Sequence, residues 1–370
     1  MRVLFVLLLV VHGALHLMGT AKAFGAAELP QLTQDIGRPM GVLWCVAALL
    51  FLLAAIGIFV SPRWWWTVAA VAVVVSQIVI GYSWADARWG TLANALVLVG
   101  VAYGFLSQGP GSFRAEFDRD VARELRQTVA TPLLTEADIA GLPVAVQQYI
   151  RLNGAVGRPR VQNIRVRFHG EIRGGPEARW MSFTGEQYNF YDQPSRLFLM
   201  DATMFAIPVQ AFHRFVGPSA TMRVKLAAVV RMVDAKGPEM DEAETITRFN
   251  DLCVFAPGAM IDPRITWQAS DSHTVAASFT NLGHTARAVL TFNERGELAD
   301  FVADGRGASS TDGRTFTKMR WSTPLRDYRA FGAHRLMSHG EGVWHAPAGE
   351  YSYLRFDVDT IEYNVAPSRN

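Results

Sequence analysis

Cysteine is almost missing from this chain: its 370 residues include two, Cys45 in an apolar run and Cys253 far downstream. With one in the greasy part and one in the polar part, no structural disulfide is expected, which suits a reducing compartment. Charge is also scarce, at 18% of residues, and no Lys/Arg block forms a phosphate-binding stripe. The formal net charge of +2 therefore gives no reason to expect nucleic acid as a partner. Motifs that carry chemistry are missing too. The polar part has no HxxxH, HExxH or CxxC, and "SFTGE" does not match the GxSxG nucleophile elbow. No glycine-rich phosphate loop lies between a strand and a helix, and "GASSTDGR" is turn chemistry alone. These absences lower the standing of an enzyme, and they call for no cofactor and no metal.

What the chain has in plenty is apolar side chains, 50% of the total. They are unevenly spread. Residues 1–107 carry almost no charge, whereas the remainder looks like an ordinary water-soluble domain. Four apolar runs stand out: Val3 to Met18, Met40 to Val60, Trp64 to Ala85 and Trp89 to Ser107. About 20 apolar residues in a helix cross a hydrocarbon core of roughly 30 Å. The last three runs qualify outright, and the first does so if Gly19 to Phe24 sits at the interface. Trp64, Trp65, Trp66, Trp84 and Trp89 gather at run ends, where amphipathic rings prefer headgroups. Arg2, the first run and "AKA" at 21–23 also resemble a cleavable signal peptide, but two histidines break the apolar stretch and make a poor signal core. The reading is a four-span transmembrane part over 1–107, a linker with short helices over 108–158, and an antiparallel β domain over 159–370.

Positive charges predict the orientation. With the N-terminus inside, the inner side holds six: Arg2, Arg63, Arg114, Arg119, Arg123 and Arg126. The outer loops hold three: Lys22, Arg38 and Arg88. The expectation is a multi-pass protein of the inner membrane with its soluble domain on the cytoplasmic side. Cleavage of the first run would leave that side unchanged.

The first run contains "HGALH", with His12 and His16 one helical turn apart and so on one face. Ionisable residues inside a membrane rarely face lipid. One reading makes this polar pair a metal, haem or quinone site, or a proton relay. The blander and preferred reading is interhelical hydrogen bonding to Ser76, Gln77 or Asn94, with Gly13 and Gly19 letting a helix approach closely.

Beyond the "SQGPGS" linker, Phe113, Phe117, Val121 and Leu125 mark one apolar face of a charged helix. Thr135 with Asp138 imitates a capping box, and Pro143 and Asn153-Gly154 bracket another helix. After Pro159 the period becomes two. Ile164, Val166, Phe168 and Ile172 alternate with Arg165, Arg167, His169 and Arg173, which reads as a half-buried strand. Roughly ten such strands follow in meander order, with turns such as "NERGE" and the segment from Thr311 to Arg314 between them. Asp241 to Phe255 breaks the series as an acid-led helix that stops before Pro257-Gly258. The predicted fold class is α+β: four transmembrane helices, then a large, curved, half-barrel-like antiparallel sheet with an inserted helix.

The runs "LPVAVQQYIRLNGAVGRP", "ARWMSFTGEQYNF", "GPEMDEAETITRFNDLCVFAPGAMIDPRITW" and "GEGVWHAPAGEYSYLRF" resemble a bacterial family of unknown function that joins a few membrane spans to a β-rich domain. The resemblance covers most of 141–365 and assigns no catalytic residue. More distantly, a many-stranded sheet with a helix on its concave face is similar to the half-barrels of lipoprotein carriers. That likeness implies an apolar concavity under 241–255, though fold does not fix function.

Trp180, Trp267, Trp321 and Trp344 read as core, and would equally suit the walls of a lipid pocket. His339 and His345 in "HGEGVWH" stand six apart, too far to share a metal without a bulge. With His213 and Asp262 they allow a hydrolytic metal site to be imagined, but a motif is lacking. Three functions stay open. The leading one is a membrane-anchored protein holding a lipophilic small molecule or lipid in its curved sheet. The alternatives are a protein-interaction or sensory module and a metal-dependent hydrolase.

Overall fold

A computed structural model describes residues 2–269, 271–310 and 312–367. The chain divides into two units at Glu116/Phe117.

In the first unit, four helices are long and apolar enough to cross a membrane. They are α1 (Arg2–Ala23), α2 (Arg38–Val60), α3 (Trp65–Tyr82) and α5 (Gly90–Gln108), with a single turn, α4 (Trp84–Ala87), before the last. At 1.5 Å per residue they measure roughly 27 to 34 Å, a hydrocarbon thickness. Leu4, Val60 and Val99 are at least 70% exposed, an apolar surface that suggests membrane association. Small residues make part of the inside, beside large ones such as Leu9 and Phe51. Ala47, Ala48, Ala54, Ala69 and Ala72 are fully buried. A Cβ on Gly19 would stand 2.2 Å from the Trp44 ring, so only glycine lets α1 and α2 close there.

In the second unit, the apolar stripe of α6 (Phe113–Leu125) buries Phe117, Val121 and Leu125. α7 (Glu136–Ile139) starts where the Asp138 carboxylate accepts the Thr135 backbone N–H at 2.8 Å. α8 (Val144–Asn153) follows Pro143 and ends on Gly154 at φ +80°, a left-handed cap.

Two meanders make the sheet. The first is β1 (Asn163–Ile172), β2 (Met181–Phe190), β3 (Ser195–Met204), β4 (Ile207–Val216), β5 (Ser219–Leu226) and β6 (Val230–Lys236). After α9 (Pro238–Phe255) comes the second: β7 (Ile265–Ala269), β8 (Thr274–Asn281), β9 (His284–Phe292), β10 (Leu298–Ser309) and β11 (Phe316–Ser322). The short β12 (Leu325–Arg326) and a small hairpin, β13 (Arg329–Phe331) with β14 (His334–Leu336), lead to β15 (His339–Ala346) and β16 (Gly349–Tyr363). The order β6-β5-β4-β3-β2-β1-β16-β15-β11-β10-β9-β8-β7, with β12 beside β15, makes a curled sheet of fourteen strands.

The first and last strands therefore meet in the middle, and the two edge strands, β6 and β7, are consecutive in sequence except for α9. A helix joining opposite edges of a curled sheet crosses one of its faces, and α9 is buried from Ala243 to Phe255 as it does so. The seam between β1 and β16 is close. A Cβ on Gly170 would lie 1.9 Å from the Arg355 carbonyl oxygen.

The half-barrel and its inserted helix are as the periodicity predicts, with more strands than the ten it marks. β4, β6 and β7 were not anticipated. Val209 to Phe212 of β4 are buried without a break, so no alternation shows. α9 starts at Pro238, three residues before the acids that mark it in the sequence, because Gly237 at φ +102° turns the chain just ahead of it. The predicted turn from Thr311 to Arg314 begins outside the described residues. From Asp312 on, the Asp312 carboxylate accepts the Arg314 N–H at 3.1 Å.

Candidate functional site

Helix α9 is buried like a core helix but is not apolar. Glu244, Thr247, Arg248 and Asp251 fall at i, i+3, i+4 and i+7, a polar stripe along one face. Polar groups so far from water need partners, and β2 and β3 supply them. Arg196 donates from Nε to Asp251 at 2.6 Å, from Nη1 to Glu244 at 3.0 Å and from Nη2 to Gln187 at 3.1 Å. Gln187 in turn donates to Asp251 at 2.8 Å. Burial alone would raise the Glu244 carboxyl, but Arg196, His213 and Arg306 outweigh it and hold it at about 2.

Beside this network lies a cavity of about 120 Å³. Phe168, Phe198, Met200, Leu354 and Phe356 form its apolar wall, and Arg196, His213, Glu244, Asn250 and Arg306 its polar one. Arg306 on β10 is the distinctive group. Its guanidinium carbon lies 4.4 Å from the Trp321 ring centroid and 5.1 Å from that of Trp344, and these two residues are direct cross-strand partners. Nε and Nη2 both donate to Thr247 Oγ1, at 3.2 and 3.0 Å. Among the described residues no carboxylate comes within ion-pair reach of Arg306, and its Nη1 has no protein acceptor. A planar cation stacked on indole with free donors suits an acceptor such as a carboxylate or phosphate.

Volume sets a limit on what fits. Drug-sized ligands occupy pockets of about 300–1,000 Å³. A space of 120 Å³ takes one end of a long molecule, not the whole.

Of the four tryptophans singled out from the sequence, Trp321 lines this cavity and Trp344 stacks beneath Arg306. Trp180 lies away from the cavity lining, flanked by Arg173 and Arg355 at 4.5 and 4.7 Å, and Trp267 packs partly buried on β7. The histidines are dispersed. His213 faces Glu244 at 3.5 Å, His339 pairs with Asp357 at 2.9 Å, and His345 with Glu350 at 2.5 Å. Asp262 is tied to Arg264. Among the described residues no three His, Cys, Asp or Glu side chains are grouped to hold a metal ion.

Ser322 Oγ stands 2.8 Å from His345 Nε2, so Ser322, His345 and Glu350 have the connectivity of nucleophile, base and orienting acid. Access is what they lack. Ser322 is 3% exposed and alternates with Trp321 and Thr323, which line the cavity, so it points to the other face of the sheet. Nor is the next backbone N–H free for an oxyanion: that of Thr323 already donates to the Phe301 carbonyl at 2.9 Å.

In the membrane unit, His12 Nε2 meets Asn94 Oδ1 at 2.9 Å and His16 Nε2 meets Ser76 Oγ at 2.9 Å. Ser76 also reaches Asn94, and Asn94 donates to Gln77 at 3.0 Å. His16 Nδ1 donates to the His12 carbonyl at 2.8 Å. The partners are three polar residues that the sequence offers on the third and fourth runs.

Nothing in the sequence singles out Arg196, Arg306 or the pairing of Glu244 and Asp251, since isolated charges carry no motif. The same holds for Arg248, fully buried and bonded through Nη2 to the Phe190 carbonyl at 2.6 Å, whose pKa burial and nearby Arg264 push down to about 9.

The features together define a class: a chain with four apolar membrane-length helices and a half-barrel domain whose covering helix encloses an amphipathic cavity. The chain belongs to the family of unknown function DUF6544, which matches residues 132–356. It is similar to a DUF1329 family protein from Desulfovibrio piger, with 13% identity, a TM-score of 0.35, and coverage of 61% of this chain and 95% of that one. It is also similar to a putative outer membrane lipoprotein-sorting protein domain from Vibrio parahaemolyticus, with 8% identity, a TM-score of 0.32, and coverage of 54% and 85%. Both likenesses are too distant to speak to function. No curated protein matches.

Proposed function

We propose that the β domain is a membrane-anchored binding module that grips the polar end of a lipophilic molecule in the cavity under α9. One observation carries this reading: Arg306, stacked on Trp321 and in no ion pair among the described residues, lines a space it shares with aromatic and aliphatic side chains. An acceptor head would meet Arg306 and an apolar tail would lie along Phe198, Met200 and Leu354. Burying that tail contributes about 25 cal/mol per Å² of apolar surface, which outweighs the modest hydrogen bonds of the head. A protein-docking module would need neither the cavity nor a cation stacked on indole inside it. The hydrolase alternative is disfavoured by the dispersed histidines and by the buried Ser322.

The positive-charge balance supports a cytoplasmic position for this domain at the inner membrane.

The test uses full-length protein in detergent with a dansyl-labelled medium-chain fatty acid and its methyl ester. Energy transfer from tryptophan to dansyl should saturate for the acid, weaken about tenfold with Arg306→Met, as loss of a charge-assisted hydrogen bond implies, and be weak for the ester in both proteins. Equal binding of acid and ester, unchanged by Arg306→Met and by the cavity-filling Met200→Trp, would overturn the reading.

A further inference from the structure

Two neighbouring hairpins of the half-barrel end in turns whose residues are wrong for water. β3 and β4 close with Met204 opposite Ile207, leaving Phe205-Ala206 as a two-residue turn at φ +50° and +66°. Both central residues at positive φ mark the turn type that favours Asn-Gly, because a Cβ is strained there. β5 and β6 close with Leu226 opposite Val230, and Ala227 and Ala228 again take positive φ, +50° and +60°. The turns are adjacent, since the Ala227 N–H donates to the Pro208 carbonyl at 2.7 Å. Each hairpin thus keeps apolar residues at positive φ, where Asn or Gly would relieve strain, and in the first turn Phe205 and Ala206 do so while exposed.

What the tips present is apolar. Phe205 is 74% exposed, Val229 63% and Val230 52%, with Ile207 and Met232 beside them. One step below the tip, Lys225 on β5 lies directly opposite Arg231 on β6, so two basic residues stand under a greasy point, Arg231 also reaching Asp234 at 3.7 Å.

We propose that these two tips insert into the headgroup region of a lipid bilayer. They protrude as turns and form no groove, so they fit a fluid surface rather than a preformed protein face. Positive charge behind an apolar tip complements anionic headgroups, the arrangement of interfacial anchors. The chain also carries four helices long and apolar enough to cross a membrane, so a bilayer is a surface that a protein of this kind meets. The contact is independent of what the cavity holds.

The experiment places the fluorophore NBD on single cysteines in the full chain, in a Cys45→Ala, Cys253→Ala background, reconstituted into liposomes of phosphatidylcholine with or without phosphatidylglycerol. The labelled positions are Phe205→Cys and Val229→Cys, with Asp192→Cys, exposed in the β2–β3 turn, as control. Labels at 205 and 229 should be blue-shifted, quenched several-fold more by spin-labelled lipid than the control, and shielded from iodide, most strongly with the anionic lipid. The variant Phe205→Asn with Ala206→Gly relieves the turn and should fold at least as well, yet lose most of the lipid quenching seen from position 229. Equal iodide quenching at all three positions overturns the proposal. So does shielding that vanishes on raising the lipid-to-protein ratio, which would assign the tips to a second copy of the chain.

Discussion

The Arg196 guanidinium and the Asp251 carboxylate meet at 2.6 Å beneath α9, both almost wholly out of water. Removing one member of such a buried pair leaves the other uncompensated, at a cost of about 3–5 kcal/mol. Here Arg196 serves two carboxylates, Asp251 and Glu244. Arg196→Met should therefore destabilise the full-length protein by at least that amount in denaturant unfolding. Adding Glu244→Gln and Asp251→Asn should restore much of the loss.

The same network sets an acid limit. Glu244 sits at about 2 in the fold against an ordinary 4.5, so the unfolded chain takes up the proton first as pH falls. Its contribution to stability is complete above 4.5 and disappears as pH drops through about 2. Unfolding free energy measured across that window should fall with pH, and Glu244→Gln should flatten the slope. An unchanged slope in the variant would show that other carboxyls govern acid unfolding.

At the seam of the sheet, Gly170→Ala should be severe, because a methyl 1.9 Å from a backbone carbonyl cannot be accommodated by a side-chain rotation. A loss of about 3 kcal/mol or more is expected, in the range of overpacked cores. Gly175→Ala is the matched control, with nothing within 4 Å of its added Cβ. Circular dichroism melts of the two variants should separate clearly.

For the membrane unit, His12→Ala with His16→Ala strips Asn94 and Ser76 of partners. Interhelical hydrogen bonds in lipid average roughly 0.6 kcal/mol each, so a loss of about 1–2 kcal/mol is expected in steric-trap or thermal unfolding from detergent. Metal content and visible absorbance should not change. A Soret band or stoichiometric metal lost in the double variant would instead make the pair a ligand set.

Orientation is tested at the C-terminus, where Asn370 lies outside the described residues. A reporter joined after it should fluoresce if it is a fluorophore that matures in the cytoplasm, and be inactive if it is a phosphatase that needs the periplasm. The reverse pattern would place the β domain outside.

Much of this architecture was legible in the chain alone. Local properties decide it: the lengths of four apolar runs, the Pro143 and Gly154 brackets of α8, and the alternation from Ile164 to Ile172 each depend on near neighbours. Even the partners of His12 and His16 could be narrowed, because an apolar bundle offers few polar side chains. The tertiary structure decided what depends on distant residues coming together. That β1 meets β16, and that α9 must cross from edge to edge, follows from the closing order of the strands. Arg306 came to lie over Trp321 and Trp344 because β10, β11 and β15 are neighbours in the sheet. Arg196 found two acids on a helix about 50 residues later in the chain, since a charge is buried only where opposite charges and donors converge on it. No periodicity records such a meeting.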